Sequence, residues 1–419
     1  MKYCIKNLII LLLLIPIDSI ADQLTSYPEI ILNIMNKVPR WVPSVEVTSS
    51  CLASLKNPVL KPDLCRISKK LNFFDSFRSK LFFDFDAEGE IGFKKIDIDL
   101  TPSVKARGLL GLQANEKRPL VIFRMGIHGN RDEFMAERYL IKILYQELGY
   151  HVLMLESLTS HGNILASKNI SFGGLEEGLQ TFYILNLINN NEFSWTSQVT
   201  DIHLVALSMG GEGAFLTTYL DEQTIKKIKS IEVLCPLINL ETTFKNHFKP
   251  GLTNAVGDIW NSLRLKALTE KTMVLQELSM WKMLIDLKPR YSPLVLDYLN
   301  QTVKKPLLSL SDFENRFKHL KWPLEFVNHM QKDQSYLERN NFWPFFKNEK
   351  TPIQFILTPH DVMAINELNS DLIRKHQQPG TFNKVKFMDL DGFHCSLAQE
   401  YQWPFLVEIV RRGLENTNP

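Results

Sequence analysis

Short apolar runs that alternate with helix-length amphipathic stretches constrain the fold of this 419-residue chain more than any other feature. Strand-like runs at 119–125, 151–155, 202–207 and 230–235 are separated by stretches with helical periodicity. Strands that return through helices in this way form a parallel sheet with helices on both faces. The region Phe82–Leu112 instead alternates apolar and polar residues around glycine turns, which predicts an antiparallel pair.

The alternation of strands and helices is interrupted by a long helix-like region and then resumes with strands at 352–358 and 384–388. This pattern predicts an α/β core in two parts with a helical cap inserted before the second part. The proline-punctuated region that precedes the core is predicted to be an N-terminal extension. The predicted divisions are a signal peptide at 1–21, the extension at 22–80, the core at 81–240 and 347–419, and the cap at 241–346.

The first 21 residues have the pattern of a secretory signal peptide. Lys2 and Lys6 precede the apolar run 8–15, and the segment ends in Ser19-Ile20-Ala21. A bilayer span needs about 20 apolar residues, so this run is too short to be an anchor. We therefore expect an exported protein, periplasmic or secreted, with no transmembrane segment in the mature chain.

Composition and charge exclude several classes of function. A hydrophobic share of 45% suffices for a substantial core, and 48 basic residues against 46 acidic ones give no field for nucleic acid. No phosphate-binding glycine loop follows a strand and no CxxC pair is present, so we expect neither a cofactor nor a metal.

Four cysteines remain after removal of the signal peptide, and export permits disulfides among them. Cys51 and Cys65 flank a loop that a disulfide could close. Cys235 and Cys395 could equally be buried thiols, which is a common fate of free cysteine. The sequence leaves the pairing of all four open.

The strongest local motif is LVALSMGGEG at 204–213, in which an apolar strand runs through Ser208 into a helix. A sharp strand-to-helix turn holds a nucleophile exposed, and it needs small residues where other backbone approaches. The usual pattern is G-x-S-x-G, and Ala206 takes the place of its first glycine. The alternative interpretation is that Ser208 only caps the following helix.

An acid and a histidine follow the last two predicted strands. Asp361 comes after the strand at 352–358, and His394 lies in a glycine-containing loop after the strand at 384–388. The chain order Ser208, Asp361, His394 is that of one serine hydrolase architecture. Alternatively, Asp361 is a turn residue and His394 a surface histidine.

With these motifs the chain resembles the α/β-hydrolase superfamily over Arg118–Cys235 and Pro352–Pro419. The resemblance implies an eight-stranded, mostly parallel sheet with Ser208 as nucleophile, His394 as base and Asp361 as the acidic partner. The segment LLSLSDFENRF at 307–317 is also similar to the helical cap of broad-specificity esterases related to human α/β-hydrolase-domain proteins.

An oxyanion hole is the remaining requirement for acyl transfer. One donor is expected to be the N–H of Met209, directly after the nucleophile. The superfamily's H-G-x-x-G loop reads Met125 to Gly129 here, which assigns the second donor to the N–H of Ile127, with Asn130 as the alternative. His128 in this loop is interpreted as a packing residue rather than a catalytic one.

The expected function is hydrolysis of carboxylic esters of small or lipid-like molecules through an acyl-enzyme. The alternatives are an amidase, peptidase or acyltransferase with the same triad, or a silent binding protein of the same fold. Tryptophans in the predicted cap could line an apolar pocket or fill a small core; they are Trp260, Trp281, Trp322 and Trp343. The sequence fixes neither the substrate nor the oligomeric state.

Overall fold

The computed structural model describes the greater part of the predicted core. The described residues are 46–67, 85, 92–114, 116–127, 129–131, 138–167, 171, 174–247, 307–341, 350–359, 361, 364–366, 369–376, 384–392, 394 and 397–415. The predicted signal peptide and much of the predicted cap lie outside these residues, as do His128, Cys395 and three of the four cap tryptophans. The division into extension, core and cap therefore stays a prediction.

Eight strands form one mixed sheet in the order β1-β2-β4-β3-β5-β6-β7-β8. Strands β1 and β2 are antiparallel to each other, β2 is antiparallel to β4, and the remaining pairs are parallel. The prediction of an eight-stranded, mostly parallel sheet is thus confirmed. The strands are β1 (Phe93–Thr101), β2 (Val104–Gly111), β3 (Arg118–Arg124), β4 (His151–Leu155), β5 (Val199–Leu207), β6 (Ile228–Leu234), β7 (Ile353–Leu357) and β8 (Val385–Asp389).

Helices connect the strands on both faces of the sheet. They are α1 (Ser49–Leu55), α2 (Arg138–Lys142), α3 (His161–Ser167), α4 (Gly174–Asn189), α5 (Gly210–Gln223), α6 (Leu240–His247), α7 (Leu310–Arg316), α8 (Leu324–Gln331), α9 (Tyr336–Arg339), α10 (Ser370–His376) and α11 (Trp403–Glu415). Helix α2 continues into a π-helical turn at Ile143–Glu147, and short 3₁₀ turns occupy Pro62–Cys65 and Thr196–Gln198. Among the described helices, none is long and apolar enough to cross a membrane.

The burial of each strand explains why its sequence reads as it does. Every residue of β4 and β7 is buried, because helices cover both faces of the parallel part of the sheet. Such strands read as continuous apolar runs. Strand β1 lies at the sheet's edge and mixes buried with exposed positions, which is the pattern that predicted the antiparallel pair.

Helix α4 is buried over nearly its whole circumference, because helical segments of the predicted cap region cover the side that faces away from the sheet. The Phe182 ring lies 6.0 Å from those of Phe313 and Trp322, and the Tyr183 ring lies 4.8 Å from that of Phe317. Trp322 therefore packs in an aromatic core. The other three tryptophans of the cap lie outside the described residues.

A disulfide joins Cys51 and Cys65, a pairing that the sequence left open. In the chain-entropy account, closing a loop of this size stabilises the fold by about 3 kcal/mol. The loop rests on the C-terminal helix, since Arg412 donates hydrogen bonds to the Leu55 and Pro58 carbonyls at 2.8 and 2.7 Å. Residues early in the chain are thereby tied to α11.

Strand β6 carries a buried acid, Glu232, whose side chain faces Gln354 of β7. Burial raises the pKa of the Glu232 carboxyl well above its ordinary value of 4.5. Its Oε1 atom has no hydrogen-bond partner among the described residues. The folded protein therefore keeps this proton at pH values where the unfolded chain has lost it, and stability falls as pH rises above about 4.5.

Glu232→Gln is expected to remove this pH dependence, because an amide is neutral at every pH. As the pH rises from 4.5 to about 8, the free energy of unfolding of the variant should increase by about 1–3 kcal/mol relative to that of the wild type. Urea denaturation at both pH values measures this. Glu314→Gln on an exposed position of α7 is the control and should change stability by less than about 0.5 kcal/mol. Parallel pH profiles for wild type and Glu232→Gln would contradict the prediction.

Candidate active site

Ser208 stands in the turn between β5 and α5, with a backbone φ of 54° that non-glycine residues seldom adopt. Backbone hydrogen bonds hold the turn: Ser208 N donates to the Leu234 carbonyl at 2.9 Å, and the Ser208 carbonyl accepts from Gly211 N at 3.0 Å and from Leu237 N at 3.2 Å. The residue at the N-cap of α5 is Met209. Helix capping is therefore not the role of Ser208, and strained backbone of this kind clusters at functional sites.

The glycines after Ser208 are required by close neighbours. A Cβ on Gly210 would lie 2.7 Å from the Met125 carbonyl oxygen and 2.9 Å from that of Arg124. A Cβ on Gly211 would lie 2.6 Å from the Cβ of Pro236. The tight turn lets the helix begin directly against the end of β3, as the small-residue motif predicted.

Gly210→Ala is expected to destabilise the protein by about 2–3 kcal/mol, because the clashing atoms are backbone carbonyls that cannot rotate away. Thermal and urea unfolding measure the loss. Gly149→Ala is the matched control: its φ is 67°, but a Cβ there meets nothing within 4 Å, so only backbone strain of about 1 kcal/mol is expected. Equal losses in the two variants would show that crowding at Gly210 is unimportant.

Asp361 and His394, which lie 33 residues apart in the sequence, are in direct contact. The Nδ1 atom of His394 lies 3.0 Å from Asp361 Oδ1 and 2.9 Å from Oδ2. The Asp361 side chain is 1% exposed and that of His394 is 13% exposed. Oδ1 also accepts a hydrogen bond from the N–H of Ala364 at 2.8 Å. The carboxylate is thus fixed in place, and it orients the imidazole through its Nδ1 atom.

The end of β6 links this pair to the Ser208 turn. Leu234 accepts the hydrogen bond from Ser208 N, and the next residue, Cys235, has φ 44° and donates its N–H to the Ile356 carbonyl at 2.8 Å. The Cys235 sulfur, an Asp361 oxygen and a His394 ring nitrogen all lie within 4.8 Å of one another. Sequence reasoning did not place Cys235 at the site, although a cysteine directly after a strand was a signal.

Cys235 is disulfide-bonded, so the interpretation of this residue as a buried thiol is wrong. The sulfur accepts a hydrogen bond from the Thr358 hydroxyl at 3.5 Å, since a disulfide sulfur has no proton to donate. Sulfur, carboxylate and imidazole in such proximity resemble a metal-ligand set. A disulfide sulfur is no thiolate, however, and the carboxylate already binds the imidazole.

The loop after β3 lies beside the Ser208 turn. A Cβ on Gly126 would lie 3.4 Å from the Cβ of Ser208. Gly129 N donates to the Gly126 carbonyl at 2.9 Å, which closes a turn around Ile127. In the described part of the chain, the N–H groups of Ile127 and Met209 donate no hydrogen bond. Asn130, the alternative donor, is buried.

A buried ion pair near the Ser208 turn was missed by sequence reasoning. Arg124, at the end of β3, is fully buried; its Nη2 lies 3.4 Å from Glu177 Oε1, and its Nη1 donates to Gln180 at 2.8 Å. A buried charge costs several kcal/mol unless it is paired, so the pair fixes α4 against β3. An arginine in an otherwise apolar strand and the acidic pair Glu176-Glu177 were the available signals.

A serine and a histidine are in contact within strands β5 and β6, away from the Ser208 turn. His203 Nδ1 and Ser230 Oγ are 2.8 Å apart, and Ser230 donates its proton to the Leu414 carbonyl at 2.7 Å. Burial lowers the pKa of His203 to about 4. The serine proton is thus directed to a carbonyl and not to the imidazole. The contact between His203 and Ser230 is structural, and Ser230 provides a control for Ser208.

Solved structures with a similar arrangement include two esterases and a peptidase. Est1E from Butyrivibrio proteoclasticus is 14% identical, with a TM-score of 0.39 over 77% of this chain and 98% of its own. An esterase of Pyrococcus furiosus is 17% identical, with a TM-score of 0.44 over 84% of this chain and 95% of its own. A Pyrococcus horikoshii acylaminoacyl peptidase is 12% identical, with a TM-score of 0.44 over 78% of this chain; less than half of that protein, 43%, is covered.

No protein-family model and no curated protein matches this chain. Likeness at the level of the solved structures says nothing about the reaction, which must be inferred from the site.

Proposed function

We propose that the protein is a serine hydrolase that works through an acyl-enzyme, with Ser208 as nucleophile, His394 as base and Asp361 as the acidic partner. The observation that carries the proposal is the Asp361–His394 pair, at 2.9 and 3.0 Å, which the end of β6 links to the strained turn that holds Ser208. A carboxylate that binds one nitrogen of an imidazole holds the ring in the tautomer whose other nitrogen can accept a proton.

In the first step the Ser208 oxygen attacks the substrate carbonyl carbon while His394 Nε2 takes the hydroxyl proton. Asp361 stabilises the imidazolium that forms. Collapse of the tetrahedral intermediate breaks the bond to the leaving group, which takes the proton back from His394. Water then attacks the acyl-enzyme by the same route, and Ser208 is released with its proton.

The tetrahedral oxyanion requires donors that are oriented before the reaction, and each donor is worth about 3 kcal/mol. We assign this role to the N–H groups of Met209 and Ile127. Two observations support the assignment: Gly126 lies directly beside Ser208, and both N–H groups are without an acceptor among the described residues. The turn closed by Gly129 keeps the Ile127 N–H out of the internal hydrogen bond.

The proposed substrates are carboxylic esters of small or lipid-like molecules. The predicted cap at 241–346 supports small substrates, since a cap restricts entry of large folded proteins. An amidase, peptidase or acyltransferase would use the same triad and differ in the pocket and in water access to the acyl-enzyme. We also propose that the protein is exported, in keeping with the leader at 1–21 and the disulfide-bonded cysteines.

A fluorophosphonate probe tests the central proposal, because it forms a stable bond only with an activated serine. The mature protein should be labelled, and digestion should place the label on the peptide that contains Ser208. Hydrolysis of p-nitrophenyl esters of increasing chain length, beside the matching anilides, then tests the ester preference. A folded protein that takes up no label and cleaves neither series would favour the silent binding protein.

A further inference from the structure

Cys235 is bonded through a disulfide to a residue outside the described part of the chain. The chain has five cysteines. Cys51 and Cys65 pair with each other, so the partner of Cys235 is either Cys4 or Cys395. Cys4 lies in the leader that export would remove, and it could not serve the mature protein.

The position of His394 distinguishes the two candidates. A His394 ring nitrogen lies within 4.8 Å of the Cys235 sulfur. Cys395 is the next residue along the chain, about 3.8 Å away between Cα atoms. A disulfide needs Cα atoms about 4.4–6.8 Å apart, a separation that a direct neighbour of His394 can meet. We propose that Cys235 pairs with Cys395 and that this disulfide is a positioning element for His394.

The bond would cross the sheet edge where the site lies. Strands β6 and β8 are not neighbours, because β7 runs between them. Cys235 follows β6, Asp361 follows β7, and His394 precedes Cys395 in the loop after β8. The disulfide therefore spans the strand that supplies the acid, and the Thr358 hydroxyl of that strand's loop already donates to the Cys235 sulfur. One covalent link would hold all three loops.

The backbone is under strain at Cys235 and at His394, the residue before Cys395, and a covalent bond would help to hold both. Cys235 has φ 44° and His394 has φ 35°, values that cost roughly 1–3 kcal/mol each and persist only where surrounding structure enforces them. The start of the histidine loop has other anchors: Leu390 N donates to the Leu357 carbonyl and Asp391 N donates to the Tyr401 hydroxyl. Without the disulfide we expect the loop to remain attached and His394 to lose its exact position.

Formation of the bond removes two thiol protons and two electrons. We assign their transfer to a protein disulfide of the thiol oxidoreductases that act on exported chains, which is reduced to a dithiol. The positioning role rests on the proposed catalytic activity, whereas the pairing rests on the proposed export and not on activity. The test therefore has one part that is independent of activity.

The first experiment maps the pairing in the mature protein. Proteolysis without reduction, followed by mass spectrometry, should yield a peptide with Cys235 linked to a peptide with Cys395. Alkylation of free thiols beforehand should modify neither residue. Detection of Cys235 as an alkylated thiol, or linked to Cys51 or Cys65, would overturn the pairing whether or not the protein is an enzyme.

The second experiment compares Cys235→Ala/Cys395→Ala with Cys51→Ala/Cys65→Ala, which removes the other disulfide. Both double variants are assayed below their melting temperatures. Cys235→Ala/Cys395→Ala should lower kcat about tenfold or more, while KM should change less than twofold. The control should retain kcat within about twofold.

An unchanged kcat in the first variant would overturn the positioning role. Should that variant fail to fold, native protein reduced with graded dithiothreitol and then alkylated gives the same comparison. Activity should fall in step with the fraction of Cys235 that becomes alkylated. Failure of the wild type to take up the fluorophosphonate would refute the proposed function and leave the mapped pairing intact.

Discussion

Replacing Ser208 with alanine is expected to lower kcat for ester hydrolysis by about 10⁴-fold or more and to abolish fluorophosphonate labelling. The hydroxyl oxygen is the atom that would bond to the substrate, and alanine offers no other nucleophile. The fold should survive, because the turn depends on the Ser208 backbone, whose N–H and carbonyl make the hydrogen bonds. Initial rates, label incorporation and circular dichroism are the measurements.

Ser230→Ala is the matched control for Ser208→Ala. Ser230 is also buried and also lies against a histidine, 2.8 Å from His203, but its proton is directed to the Leu414 carbonyl. We expect full labelling and activity within about twofold, with a stability loss of about 1 kcal/mol from the lost hydrogen bond. Full esterase activity in Ser208→Ala would disprove the assignment of the nucleophile.

Asp361→Asn is expected to lower kcat by about 10³–10⁴-fold, less than Ser208→Ala, without unfolding the protein. The Ala364 N–H binds Asp361 Oδ1, so the asparagine carbonyl should keep that position and its amide should face His394 Nδ1. An amide donor there forces Nδ1 to accept, which places the proton on Nε2. The imidazole then cannot take the proton of Ser208. His394→Ala removes the base altogether and should resemble Ser208→Ala.

Asp389→Asn provides the control for Asp361→Asn. Asp389 lies at the end of β8, five residues before His394, and pairs with Arg374 at 2.6 Å in a half-exposed ion pair. Such pairs contribute about 0–1 kcal/mol, so neither activity nor stability should change much. Steady-state kinetics over pH 5–9 and urea unfolding compare the two variants. Equal kcat values in both would show that Asp361 has no special relation to the reaction.

The core strands could be predicted from sequence because burial leaves a direct trace in composition. Strands such as β4 and β7 are buried on both faces and therefore consist of apolar residues that stand out between helices. The Ser208 turn was predictable for a similar reason. A Cβ on either of the two glycines that follow Met209 would lie only 2.6–2.9 Å from a neighbouring atom, so glycine is required there. Local crowding selects residue types that can be read along the chain.

Contacts between residues that are far apart in the sequence were harder to predict from it. Nothing in the residues around Arg124 names Glu177 as its partner, and the role of Cys235 beside His394 depends on the order of β6, β7 and β8 in the sheet. Two cysteines 14 residues apart, Cys51 and Cys65, suggested a bridge but did not settle it. Pairing is decided by three-dimensional distance, which spacing along the chain does not determine.

The sequence by itself determined the class of fold, the eight-stranded sheet's parallel part and the identity of Ser208, Asp361 and His394 as candidates. Tertiary structure alone decided that Asp361 and His394 touch, that Ser208 does not cap α5, and that Cys235 is bonded rather than free. The physical reason is the range of the forces involved. Periodicity and glycine placement report each residue's own surroundings, whereas hydrogen bonds and disulfides form over a few ångströms between residues that only the folded sheet brings together.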